Sequence, residues 1–273
     1  MFCLYINDIK NLFDQNTFHL LYADDLQVYI QVSPECVLEG ISKINMIATR
    51  VSQWANKVSL HLNSDKTKAI YFGSGIFVDQ LDKLQLPGVD MGNGIIVPFV
   101  QEVKSLGVIL DCRLSWKSHV TSIGKKVNRV LYTLRFIRGC TSETLRKRLI
   151  QALITPHLDY CSVILLDANA SLKTRIQRLS NTGLRYIFGI RRDTHVTPFR
   201  KRLNWLTTDA RRFYFCNIIT YKILRMNQPN YLTHFFHRHK PRDTARGKSM
   251  TKELTLSDII KGRGSNSFQV LEA

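Results

Sequence analysis

The chain has 273 residues, with 39 Lys+Arg against 21 Asp+Glu, a formal net charge of +18 and a hydrophobic fraction of 44%. That composition describes a globular chain able to bury a core and excludes a disordered one, and the length allows one large domain or two small ones. The basic excess points to a polyanionic partner, nucleic acid or an anionic membrane surface, while no uncharged apolar run approaches the ~20 residues that a bilayer-spanning helix needs.

In chain order, Met1 to Ile6 is apolar but has no basic flank and is too short for a signal peptide. Phe18 to Tyr22 and Leu26 to Ile30 are aromatic and apolar, the second alternating strictly, and Ala23, Asp24 and Asp25 lie between them. Two such runs around an acidic turn predict a β-hairpin. From Pro34, Val37, Leu38, Ile41, Ile44, Ala48, Val51 and Trp54 fall at three- and four-residue steps and predict an amphipathic helix. After Val58 to Leu62 and a polar turn comes Ala69 to Phe72, apolar and aromatic, then a stretch rich in Gly and Asp from about Gly73 to Gly94 that reads as a loop. Val103 to Leu110 reads as one strand ending at Asp111.

After Trp116 the period becomes helical. Ile123, Val127, Val130, Leu131, Leu134 and Ile137 form a stripe with Gly139 as its stop. Ser142 is a good N-cap for a second helix that Pro156 ends. A third contains Leu172, Ile176, Leu179 and Tyr186, and a fourth runs from near Asp209 to about Arg225. The fold expected is α+β: an antiparallel sheet with a helix over 1–118, an all-helical basic domain over 119–226, and a loop-rich tail over 227–273. The charge divides in the same way. Residues 1–123 hold 10 Lys+Arg and 12 Asp+Glu, whereas residues 124–273 hold 29 and 9. A slightly acidic front joined to a strongly basic back looks like a chemical site coupled to an element that holds a polyanion.

Six scattered cysteines without a C-x-x-C pair argue against a structural zinc site and a disulfide framework, and imply a reducing compartment. His234, His237 and His239 with Cys216 lack a standard zinc spacing. No nucleophile elbow and no Walker-type phosphate loop is present. The chemistry that remains is at Asp24 and Asp25. Adjacent carboxylates on a hairpin point to opposite faces, so one can meet a hard divalent cation while the other orients the turn.

Tyr22-Ala23-Asp24-Asp25 between apolar strands resembles the signature of the reverse transcriptase palm. Leu62-Asn63-Ser64-Asp65-Lys66-Thr67-Lys68 resembles the next palm motif of non-LTR retrotransposon polymerases. Leu106-Gly107-Val108-Ile109-Leu110-Asp111, with Leu114, Trp116 and His119, resembles the motif leading to the thumb, and Leu4-Tyr5-Ile6-Asn7-Asp8 the segment before the acidic hairpin. Pro156-His157-Leu158-Asp159-Tyr160 is similar to the region after the palm in jockey-like elements. The resemblance covers most of the chain and weakens after about Arg225.

What the resemblance implies is an RNA-directed DNA polymerase of a non-LTR, jockey-like retrotransposon, acting on an RNA template, an RNA–DNA or DNA duplex and deoxynucleoside triphosphates, in the nucleus or cytoplasm and without a membrane partner. Asp24 and Asp25 would belong to a two-metal Mg2+ site, in which ions about 3.5–4 Å apart stabilise the attacking and leaving oxygens. Lys66 would lie by the incoming triphosphate, Tyr22 beneath the primer end, and Leu106 and Gly107 in the primer grip. The basic helices, with Lys125, Lys126, Arg146, Lys147 and Arg148, would hold a duplex by its phosphates, as a thumb does. Neither Asp8 nor Asp14 matches the family's earlier carboxylate-bearing strand, and the fingers have no counterpart. The resemblance therefore implies a C-terminal palm-plus-thumb fragment, inactive alone. The alternative is a non-catalytic nucleic-acid-binding remnant of a decayed element.

Overall fold

The computed structural model describes residues 2–14, 17–92 and 94–233, together with the backbone of three strands at 236–238, 254–256 and 267–272. In chain order the elements are α1 (Phe2–Tyr5), β1 (Phe18–Tyr22), β2 (Asp25–Val32), α2 (Val37–Lys57), β3 (Lys68–Phe72), α3 (Gly75–Leu84), β4 (Val89–Asp90), β5 (Ile96–Val97), β6 (Glu102–Ser105) and β7 (Val108–Asp111). There follow α4 (Lys117–Phe136), α5 (Glu143–Leu153), α6 (Thr155–Asp159), α7 (Ala170–Phe188), α8 (Thr197–Arg202), α9 (Thr208–Met226), α10 (Asn230–Thr233), β8 (Phe236–Arg238), β9 (Leu254–Leu256) and β10 (Ser267–Glu272). The class is mixed, with antiparallel sheets in the front part and helices behind. Two compact units divide the chain: Met1–Leu114 with Asp258–Ala273, and Ser115–Ser257.

In the first unit the main sheet has the order β1-β2-β10-β3, antiparallel throughout. The pleat of β2 decides what faces where. Leu26, Val28 and Ile30 are buried together with Ile44, Ile47, Ala48 and Val51 of α2, which is the apolar face expected from the helical spacing. Leu38, expected on that face, is exposed instead. A second cluster gathers Ile70, Tyr71 and Phe72 of β3 with Phe77, Val78 and Leu81 of α3 and Val103 of β6.

Three sequence expectations need correction. The stretch from Gly73 to Gly94 is not all loop, because α3 lies inside it. Ser74 caps that helix by accepting from the Phe77 N–H, and Phe77, Val78 and Leu81 supply its buried face. Val103 to Leu110 is not one strand. β6 and β7 form a hairpin whose two turn residues, Leu106 at φ 43° and Gly107 at φ 85°, are both left-handed, as a two-residue turn that follows the strand twist requires. Finally, the stretch after Asn227 is not only loop: it includes α10 and three strands, one of which enters the main sheet.

The second unit is built on α4 and α7. Val120, Ile123, Val127, Leu131 and Leu134 from α4 meet Leu172, Ile176, Leu179, Tyr186 and Ile187 from α7, with Ile150 and Ile154 closing the cluster. Pro156 does not end α5. α5 stops at Leu153, and Pro156 lies in the first turn of α6, where its missing N–H costs nothing. Asp159 at the end of α6 accepts two hydrogen bonds from Arg211 of α9, from Nε at 2.8 Å and from Nη2. The paired carboxylate raises the Arg211 pKa against the opposing effect of burial.

Under β3, the Tyr71 hydroxyl donates to Asp82, which also accepts from Gln101 Nε2 at 2.6 Å. Burial first, and then the bond to Asp82, push Tyr71 up to about 12 from an ordinary 10.0. The folded state thus holds this proton more tightly than the unfolded one. Its contribution to stability is complete below pH 10 and is lost as the pH rises through 12. Denaturation midpoints measured across that window should fall for the native chain and fall less for Tyr71→Phe, and Asp82→Asn should move tyrosinate absorbance to lower pH.

Candidate functional site

The β1–β2 hairpin closes on the pair Tyr22 and Asp25, leaving Ala23 and Asp24 as its two-residue tip. Ala23 sits at φ 53°, a conformation that costs a residue with a Cβ about 1–2 kcal/mol. Asp24 is exposed and Asp25, the first residue of β2, is half-buried. By the pleat, Asp25 shares its side of the strand with Gln27 and Tyr29, opposite the face that packs on α2.

That polar side of β2 is tied to the β6–β7 hairpin. Gln27 Nε2 donates to Ser105 Oγ, and the Tyr29 hydroxyl donates to Gln27 Oε1. Gln27 is buried, so its amide is an anchor between elements. The turn before β3 is held by Asn63, whose main-chain carbonyl and side-chain oxygen both accept from the Lys66 N–H, at 3.1 and 3.2 Å. Lys66 is thereby fixed at the turn with its side chain exposed.

These elements surround a cleft of about 740 Å³. Asp24, Asp25, Lys66 and Leu106, four of the residues singled out in the sequence, all line it. Tyr22 and Gly107 do not: Tyr22 is 62% exposed on the outer strand, and Gly107 serves the adjoining turn. The cleft also takes in Asp65 and Lys68, which lie in the motif around Lys66, and Glu102 and Lys104, which no motif had marked. Alternation along β3 and β6 could have placed Lys68, Glu102 and Lys104, but only once the hairpin at Leu106 was recognised. Asp8 has a separate task, accepting from Trp54 Nε1 at 3.2 Å.

The donor set suits a hard cation. Carboxylate oxygens at an exposed tip, flanked by lysines that would meet phosphate, fit Mg2+ rather than a soft metal. Among the described residues, no group of three or more His, Cys, Asp or Glu side chains converges to hold a metal ion. The side chains of His234, His237 and His239 lie outside the described residues.

In the second unit, Lys125 and Lys126 are exposed on α4, and Arg146, Lys147 and Arg148 lie along α5, the first two half-buried and Arg148 exposed. No helix among the described residues is long and apolar enough to cross a membrane.

The sequence was compared with those of known proteins. The "Probable RNA-directed DNA polymerase from transposon X-element" of Drosophila melanogaster is 27% identical over 197 residues, 69% of this chain and 20% of that protein. The "RNA-directed DNA polymerase from mobile element jockey" of Drosophila funebris is 24% identical over 186 residues, 67% of this chain and 19% of that protein. The chain is thus similar in sequence to two curated mobile-element polymerases. It spans about a fifth of the length of these curated relatives. No family model matches it, and no solved structure matches it significantly.

Leu106 combines a left-handed backbone with a side chain on the cleft wall. Strain of this kind gathers where a side chain must be aimed. Leu106→Asn and Leu106→Ala both lose the apolar contact, but only Asn tolerates the backbone well. Urea denaturation should therefore find the Asn variant more stable than the Ala variant by about 1 kcal/mol; equal stabilities would show that the turn carries no strain.

Proposed function

We propose that this chain carries the acidic hairpin and the duplex-holding helices of a non-LTR retrotransposon reverse transcriptase, an RNA-directed DNA polymerase. The observation that carries the reading is the convergence of Asp24, Asp25, Lys66 and Leu106, drawn from three separate stretches of sequence, on one cleft. In this reading Asp24 and Asp25 hold Mg2+, which supplies Lewis-acid stabilisation of the phosphate being transferred. Lys66 neutralises charge on the triphosphate and can give a proton to the departing pyrophosphate. Leu106, on its strained turn, packs against the primer. Lys125, Lys126, Arg146, Lys147 and Arg148 grip duplex phosphates without reading sequence. The template, the hybrid and the nucleotides are the partners, in the nucleus or cytoplasm.

Two carboxylates do not make a two-metal site. The remaining ligands must come from outside the described residues, and the chain alone is expected to extend no primer. The activity is best tested in a chimera in which the chain replaces the matching segment of the jockey polymerase. The chimera should extend a primer on RNA with Mg2+, and Asp24→Asn should reduce extension at least about 100-fold, more than the loss of an outer supporting group costs. An active Asp24→Asn chimera would refute the assignment.

The charge asymmetry favours a second reading, a nucleic-acid-binding protein without catalysis. There the chimera is dead whatever stands at 24, but binding persists. If six basic groups contact phosphates, log K for a duplex should fall against log salt with a slope of roughly −5. A flat response would remove both readings of the helical unit.

A further inference from the structure

Beside the end of α4, the second unit holds a cavity of about 510 Å³ whose charged lining is entirely basic: Arg135, Arg138, Arg178, Arg185 and Arg192. No acidic side chain lines it, and among the described residues none of these five arginines forms an ion pair. Elsewhere in this unit arginines do find carboxylates, Arg202 with Glu143, Arg211 with Asp159 and Arg212 with Asp209. What sets the cavity apart is that five guanidinium groups without a carboxylate partner share one concavity.

The fold holds them together. Arg178 and Arg185 are seven residues apart on α7 and so share a face. Arg185 donates to the carbonyls of Arg191, Arg192 and Thr194 at 3.3, 3.0 and 3.3 Å, bending the segment after α7 around the cavity. Arg138 lies over Gly189, where a Cβ would meet its guanidinium at 2.1 Å, and Gly189 is at φ 69°. A second, independent feature is Tyr186 in the cavity lining. It is only 6% exposed, and its hydroxyl has no hydrogen-bond partner among the described residues. A buried hydroxyl left unpaired costs free energy that an acceptor entering the cavity would recover.

We infer that this cavity binds a compact cluster of phosphates, either the phosphorylated end of a nucleic-acid strand or a free polyphosphate. Guanidinium forks match phosphate oxygens bidentately, and a concavity of this size suits a small ligand group rather than the side of a duplex. The inference is independent of the polymerase reading, because it uses neither the cleft of the first unit nor the basic residues of α5.

The test titrates the full chain with sodium tripolyphosphate by calorimetry, at fixed ionic strength, with sulfate as comparator. One saturable site is expected, weakened about tenfold or more in Arg135→Gln/Arg178→Gln, the equivalent of one charge-assisted hydrogen bond. Both arginines are exposed, so circular dichroism should show a folded variant; Arg192→Gln is the fallback if it does not. Tyr186→Phe should weaken binding without lowering the melting temperature, whereas a hydroxyl with a purely structural bond would lower it. Replacing Arg146, Lys147 and Arg148 with Gln should leave tripolyphosphate binding intact even if duplex binding falls. Tripolyphosphate held no better than sulfate, or equally by the double variant, would overturn the inference. A short RNA carrying a 5′-triphosphate that binds better than its 5′-hydroxyl form, only when Arg135 and Arg178 are present, supports the strand end as the source; tripolyphosphate binding without that difference supports the free polyphosphate.

Discussion

The two-residue period of β2 is the constraint on which the first unit depends. Leu26, Val28 and Ile30 go under α2, and Asp25, Gln27 and Tyr29 go to the other side. A slip of one residue would exchange these sets. It would drive a carboxylate and a carboxamide into a core made of Ile44, Ile47 and Val51, and strip the cleft of Asp25. The apolar side of the strand thus enforces the position of the acidic side. No residue at the tip needs to favour that arrangement by itself, and Ala23, with its positive φ, does not.

The Gln27–Ser105 bond carries that constraint outward. It fixes the β6–β7 hairpin to the same side of β2, and so puts Leu106, Glu102 and Lys104 on the wall opposite the acidic tip. Tyr71, Asp82 and Gln101 do similar work from below, tying β3, α3 and the segment before β6 together around a proton that is hard to remove. The cleft is therefore bounded by elements whose mutual positions are tied by polar bonds anchored on the buried Gln27 and Tyr71. Such bonds are costly to leave half-made, which discriminates against alternative packings.

What the sequence made legible was whatever period and turn chemistry express locally. The hairpin, α2, α4, α5, α7 and α9 follow from spacing and from turn or cap residues such as Asp24 and Ser142. α3 escaped because its glycine and aspartates, on the exposed side, hide three buried residues, although Ser74 was a usable N-cap signal. The β6–β7 turn escaped because Leu106 is a poor predictor of a left-handed position. Convergence was less accessible still. Glu102 and Lys104 join Lys66 and its motif neighbours Asp65 and Lys68 in the cleft only through tertiary contact. The five arginines of the cavity spread from 135 to 192. Their grouping depends on α4 packing against α7 through Leu131, Leu134 and Tyr186, which no local pattern encodes.

The strand order makes the same point most sharply. A hairpin followed by a helix and a strand would ordinarily leave β2 or β3 with an open edge, and exposed edges invite aggregation. In this sheet β10 fills the space between them, with Glu272 opposite both Gln27 of β2 and Lys68 of β3. Because it is antiparallel to both neighbours, a strand in this slot must run from the Val32 end of β2 toward the acidic tip. The outer strands are β1 and β3; β3 is bridged at Ala69 to Phe99, whereas β1 has Phe18, Leu20, Leu21 and Tyr22 all exposed. Four exposed apolar side chains thus sit together on the outer strand of the hairpin that carries the two aspartates, where burying them requires contact with something other than this sheet.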